Sequence, residues 1–146
     1  MKLILLIITM TFILQASTVK ELEQACRAKD GASCRGLGIL HQVGKDIAKS
    51  SNKAKTYYNK ACQLKDSEGC ILLGDMYYYS LDMDQDNSQA KQYYEKACKL
   101  KNEKGCSSFK KLQEEEHAIE EQKAELNRLI KEQEELLMET ELLEKI

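Results

Sequence analysis

A chain of 146 residues with a net charge of −2 has room for one modest domain and carries no basic footprint for nucleic acid. Proline and tryptophan are absent and charged residues make up 32% of the chain, a profile that suits helices better than a sandwich or barrel.

At the start, Met1-Lys2 is followed by an apolar run over residues 3–14, and Gln15-Ala16-Ser17 offers small residues for cleavage after Ala16 or Ser17. The run is far short of the ~20 apolar residues that a membrane-spanning helix needs. Residues 1–17 are therefore expected to be a cleavable secretory signal, and the mature chain to be secreted or periplasmic. No cysteine directly follows the apolar run, so a lipid anchor is not expected.

The mature chain opens with a short helix over residues 19–28, with Leu22 and Ala25 on one face. From there a frame repeats. Cys26 and Cys34, Cys62 and Cys70, and Cys98 and Cys106 each enclose seven residues, and their first members step by 36. This period marks a repeat architecture. On one continuous helix, two such cysteines would stand ~12 Å apart at Cα. A disulfide tolerates roughly 4.4–6.8 Å, so bridging requires the chain to reverse between them. Turn formers such as Lys65-Asp66-Ser67-Glu68-Gly69 supply the reversal, and Asp66 or Ser67 can cap the helix that follows. Each pair is expected to staple a helix–turn–helix corner. The alternatives are pairs of buried free thiols or a zinc site, whose close Cys-x₂₋₄-Cys spacing is not met. Disulfides also agree with an exported chain, and each could add about 2–3 kcal/mol to a small core.

Each repeat unit reads as two helices. Helix A covers about residues 33–43 and again 68–79, and helix B about 52–64 and again 88–100. Along helix B, Ala54, Tyr57, Ala61 and Leu64 recur at the spacing of a buried face. Gly38 and Gly74 weaken their helices by roughly 1 kcal/mol against alanine, which points to close approach of a neighbouring helix. After Gly105-Cys106 no loop or glycine stops the chain, and one helix is expected over about residues 103–145. Leu112, Ile119 and Leu126 stand seven apart, as do Leu129, Leu136 and Leu143, while Glu115 and Gln122 interrupt the seam. From residue 107 onward twelve glutamates face six lysines and arginines. This tail is read either as a solvated helix or as a short coiled coil, within the chain or with a second copy.

Ala-Cys-x-Leu-Lys-Asp-x-x-Gly-Cys-x-x-Leu-Gly-x-x-Tyr at residues 61–77, preceded by Ala-Lys-x-Tyr-Tyr-x-Lys, resembles the Sel-one-like repeat. More narrowly it is similar to the secreted Helicobacter cysteine-rich proteins. The resemblance covers about residues 19–110. It implies antiparallel helix pairs stacked into a right-handed superhelix related to tetratricopeptide arrays, an address outside the cytoplasm, and penicillin binding or β-lactamase activity. The chain departs from the family at the A–B loops, which lack Gly-x-Gly-Val, at His41, which stands where the second copy has Tyr77, and in its acidic tail. The fold expected is all-α: a short solenoid of disulfide-stapled helix pairs over residues 18–110, then a long charged helix over 111–146.

The residues themselves offer little chemistry. Ser-x-x-Lys, which a serine β-lactamase needs, occurs several times, at Ser17, Ser50, Ser107 and Ser108 among others, as chance allows, and its partner motifs are absent. Ser50 and Ser51 read better as helix caps. His41 and His117 alone cannot build a zinc site, so no metal or cofactor is expected. Stacked helix pairs instead present a concave face of A helices that repeat proteins use to bind peptides or partner proteins. Its candidates are Arg35, Ile39, Gln42, Ile71, Asp75 and Tyr78, with the run Tyr77-Tyr78-Tyr79 as the strongest hint of a contact patch. The expected partners are a peptide or protein on that face and, through the tail, a second copy; a β-lactam follows only from the resemblance.

Overall fold

The computed structural model describes residues 18–79 and 86–145. The secretory signal expected over residues 1–17 and most of the second A–B loop lie outside them. The described residues contain helices only: α1 (18–27), α2 (Gly31–Val43), α3 (Ser51–Gln63), α4 (Ser67–Tyr78), α5 (Asn87–Lys99) and α6 (Glu103–Glu144). None is long and apolar enough to cross a membrane. The chain divides into two compact units that meet between residues 109 and 110.

In the first unit the corners explain why the helices stop and start where they do. Asp30, Asp66 and Asn102 cap the helices that follow them: their side chains accept the amide protons of Ser33 (3.1 Å), Gly69 (2.6 Å) and Gly105 (3.2 Å). Ser50 and Asp86 do the same for α3 and α5. Each A helix thus begins one or two residues earlier than its apolar pattern suggests.

The same corner residues also close the preceding helix. At the middle corner the Lys65 amide donates to the Cys62 carbonyl and the Asp66 amide to the Ala61 carbonyl, both at 3.0 Å, which is a Schellman closure. The closure needs a left-handed residue, and Lys29, Lys65 and Lys101 fill that place with φ of 69°, 65° and 63°. All three cysteine pairs are disulfide-bonded, with Cα–Cα distances of 4.7, 4.5 and 4.3 Å. The expected staples are present, one at each corner.

Consecutive helices from α2 to α5 pack on one another, and α2 also reaches α4. One core cluster holds Cys26, Cys34, Leu37 and Ala61; a second holds Ala54, Tyr58, Leu73 and Met76. Here the structure corrects the face read for helix B. Tyr58 is fully buried, whereas Tyr57 and Leu64 are half-buried. The reason lies on the facing helix: a Cβ on Gly38 would meet the Tyr58 ring at 2.5 Å, and one on Gly74 the Tyr94 ring at 2.8 Å. Each glycine opens the slot that lets a tyrosine of helix B lie flat against helix A.

In the second unit, α6 continues as a single helix to Glu144, and every residue from 117 to 145 is exposed. Ion pairs three or four residues apart run along it, among them Lys131–Glu135 (3.9 Å) and Arg128–Glu125 (2.6 Å).

Candidate binding face

The six residues expected to form a contact face occupy matching register positions of α2 and α4: Arg35 with Ile71, Ile39 with Asp75, and Gln42 with Tyr78. Because α2 packs against α4, the two sets lie on neighbouring helices. Five of the six retain exposed surface. Ile71 does not: it is completely buried, and the structure removes it from the face. Its counterpart Arg35 stays partly exposed and reaches across to Asp66 instead.

The polar members are held by internal contacts. The Arg35 guanidinium Nε donates to both carboxylate oxygens of Asp66, at 3.0 and 3.2 Å, which ties the first A helix to the cap of the second. Gln42 accepts the Tyr58 hydroxyl proton at 2.6 Å, and Asp75 accepts that of Tyr94 at 2.7 Å. The two acceptors are not at the same register position. Each buried tyrosine must pair its hydroxyl; Ile39 cannot accept where Asp75 does, so the first repeat uses Gln42, one turn further on. Burial pushes the Tyr58 phenol up to about 12. Burial, and then the hydrogen bond to the Asp75 carboxylate, raises Tyr94 as well. The second oxygen of Asp75 lies 3.5 Å from Lys104 Nζ.

The apolar members are less confined. Ile39 is exposed, and Tyr78 sits edge-on to Tyr79 with ring centroids 4.8 Å apart. Of the tyrosine run, Tyr79 is the most open at 63% exposure. Tyr77 instead stacks on Tyr93 at 5.7 Å, with Lys55 over its outer face at 4.5 Å. His41 fills the equivalent place in the first repeat, buried and stacked on Tyr57 at 5.5 Å. Its Nδ1 lies 3.2 Å from the Ala48 carbonyl oxygen, which can only accept, so that nitrogen carries a proton.

Sequence reasoning missed Tyr58, Tyr94, Asp66 and Lys104 as the groups that hold this face's polar members. It also missed an open groove of about 370 Å³ lined by Val19, Glu23, His41, Ile47, Lys53 and Tyr57, among others. Only the two slot glycines signalled the tyrosines. Of the serines that begin a Ser-x-x-Lys pair, Ser50 caps α3, its Oγ accepting the Lys53 amide at 3.4 Å. Among the described residues no three His, Cys, Asp or Glu side chains are grouped to hold a metal ion.

The chain matches the Sel1 repeat twice, over residues 31–66 and 67–102. Among solved structures it is similar to Helicobacter pylori cysteine rich protein B, at 37% identity and a TM-score of 0.60, over 63% of this chain and 69% of that one. A Sel1 repeat protein from Oxalobacter formigenes (21% identity, TM-score 0.61, 65% of this chain and 39% of that one) shares the fold. So does a protective antigen of uropathogenic Escherichia coli displaying an SLR fold (24% identity, TM-score 0.60, 66% of this chain and 21% of that one). No curated protein matches the chain.

Proposed function

The chain belongs to the Sel1 repeat family, and we propose that it is an exported scaffold that binds a peptide or a partner protein on the face of α2 and α4. The observation that carries this reading is the pair of buried tyrosine hydroxyls holding Gln42 and Asp75 in place. Groups fixed before a partner arrives lose little freedom on binding it. Beside them, Ile39 and the Tyr78–Tyr79 edge pair supply apolar and aromatic contact surface, which is where binding energy concentrates. Among the described residues the geometry offers nothing that favours β-lactam hydrolysis.

Three intramolecular disulfides support work outside the reducing cytoplasm. Residues 1–17 are the proposed export signal. N-terminal sequencing of the exported protein should begin at Ser17 or Thr18, and a start at Met1 would refute cleavage. A further part of the reading is that the acidic tail pairs with a second copy of the chain.

The face is tested by placing a photo-crosslinking residue at Ile39, at Tyr78 or at the exposed Gln92 of α5. Adducts to one common partner from the first two positions and none from Gln92 are expected. Adducts from Gln92 alone, or equally from all three, would place binding elsewhere.

A further inference from the structure

The second unit presents a stripe of apolar side chains that its own chain leaves exposed. With Leu126 at a heptad a position, Ile119, Gln133 and Thr140 are also at a, and Gln122, Leu129, Leu136 and Leu143 are at d. The structure bears out the shared face, since Gln133, Leu136, Leu137 and Thr140 line one shallow apolar groove along the helix. Ile119, Leu126, Leu129, Leu136 and Leu143 are between 47% and 70% exposed. An uncovered stripe of this kind marks an interaction surface.

The chemistry selects the occupant. Lipid-binding amphipathic helices carry lysine and arginine on their polar face and are drawn to anionic headgroups. This helix carries twelve glutamates against six lysines and arginines from residue 107 onward, and anionic headgroups repel it. A second copy suits it better. Glu125 and Glu132, at g, would flank the copy's apolar e residues Ile130 and Leu137. Both are drawn to Arg128 of their own helix, at 2.6 and 4.0 Å, which softens their mutual repulsion across the pair.

Orientation follows from the polar layers. A glutamine buried against leucine leaves its amide unpaired, which is costly, whereas two glutamines at one level can bond each other. An antiparallel pair keeps its polar layers matched by setting Gln122 against Gln133. That centres the pair between Leu126 and Leu129 and brings Leu143 opposite the copy's residue 112. Leu112 is only 2% exposed in its own chain, so it offers Leu143 nothing to cover it. In a parallel, in-register pair Gln122, Gln133 and Thr140 each meet themselves, and Leu136 and Leu143 are covered. Thr140 already donates its hydroxyl proton to the Leu137 carbonyl at 2.8 Å, so it enters the seam with no orphan donor.

We propose that residues 119–143 form a parallel, in-register two-stranded coiled coil with a second copy of the chain, its register set by Gln133. This rests on the reading of self-association above and adds its geometry.

The test uses the full oxidised chain. Light scattering should give twice the chain mass. Because the six native cysteines are paired, one new cysteine reports its own neighbour. The L136C chain should cross-link to itself under mild oxidation, with the three native disulfides confirmed by peptide mapping. If L136C instead cross-links only when mixed with I119C, the pair is antiparallel: the geometry fails and self-association stands. A monomeric mass for the unsubstituted chain at every concentration overturns both.

Discussion

Tyr58 lies with its ring in the slot over Gly38 and its hydroxyl on Gln42, joining the core to the proposed binding face through one side chain. Its phenol is pushed from 10.0 up to about 12, so the folded chain keeps a proton that the unfolded chain releases earlier. The stability linked to that proton is whole below pH ~10 and is lost as the pH climbs from there through the folded value. Tyrosinate absorbance should therefore show a late component to which the buried Tyr58 and Tyr94 both contribute, and Tyr58→Phe should remove the part of it near 12. Loss of helical signal should accompany the late component; a titration with no late component would contradict the burial described. Gly38→Ala should destabilise the repeats by about 1–3 kcal/mol, because the added carbon meets an aromatic ring with no room to retreat. Urea unfolding measures this, and an unchanged midpoint would show that the slot can widen. These positions also show what the sequence could and could not disclose. A glycine in mid-helix announced that something approaches, but not that the visitor was Tyr58 rather than Tyr57. Helix phase favoured Tyr57, and only the facing slot decides between adjacent tyrosines. Ile71 failed for a related reason: its exposure depends on the side chains packed around it, which a register position does not contain.

At the level of the elements, each corner is built from the same parts: a left-handed lysine, a capping Asp or Asn, and a disulfide. A loop this short gains about 2–3 kcal/mol from its cross-link by the chain-entropy argument. The C62A/C70A double variant should lose about that much in urea, with its helical content at low urea retained. A loss several times larger would mean that the disulfide sets the corner rather than secures it. Three cysteine pairs at one period were enough to place every corner. Cap identity was less legible. Both Asp66 and Ser67 suit the role, and Asp66 takes it because it also sits where Lys65 returns the chain to ordinary backbone.

For the whole molecule, the division at residues 109 and 110 separates a disulfide-rich unit from a tail without cysteines. A chain truncated after Leu112 should keep its three disulfides and its helical repeats, and run as a monomer in light scattering where the full chain is paired. The same number of copies for the two would remove any role of the tail in association. The solenoid class was readable from period and composition. The partner of the A-helix face was not, because repeat scaffolds recognise through surface detail that carries no motif.

The double duty of the corner residue has a consequence for how such a chain can lengthen. Asp66 finishes one helix and starts the next, so no spare residue lies between modules, and Asp30 and Asn102 stand at equivalent junctions. An in-frame gene duplication bounded at these positions would join one finished module to another without inventing a new junction. A duplication bounded elsewhere would leave a helix without its stop or its start. The corner is thus a splice point written into the backbone, and it favours growth or shrinkage of the array in whole modules.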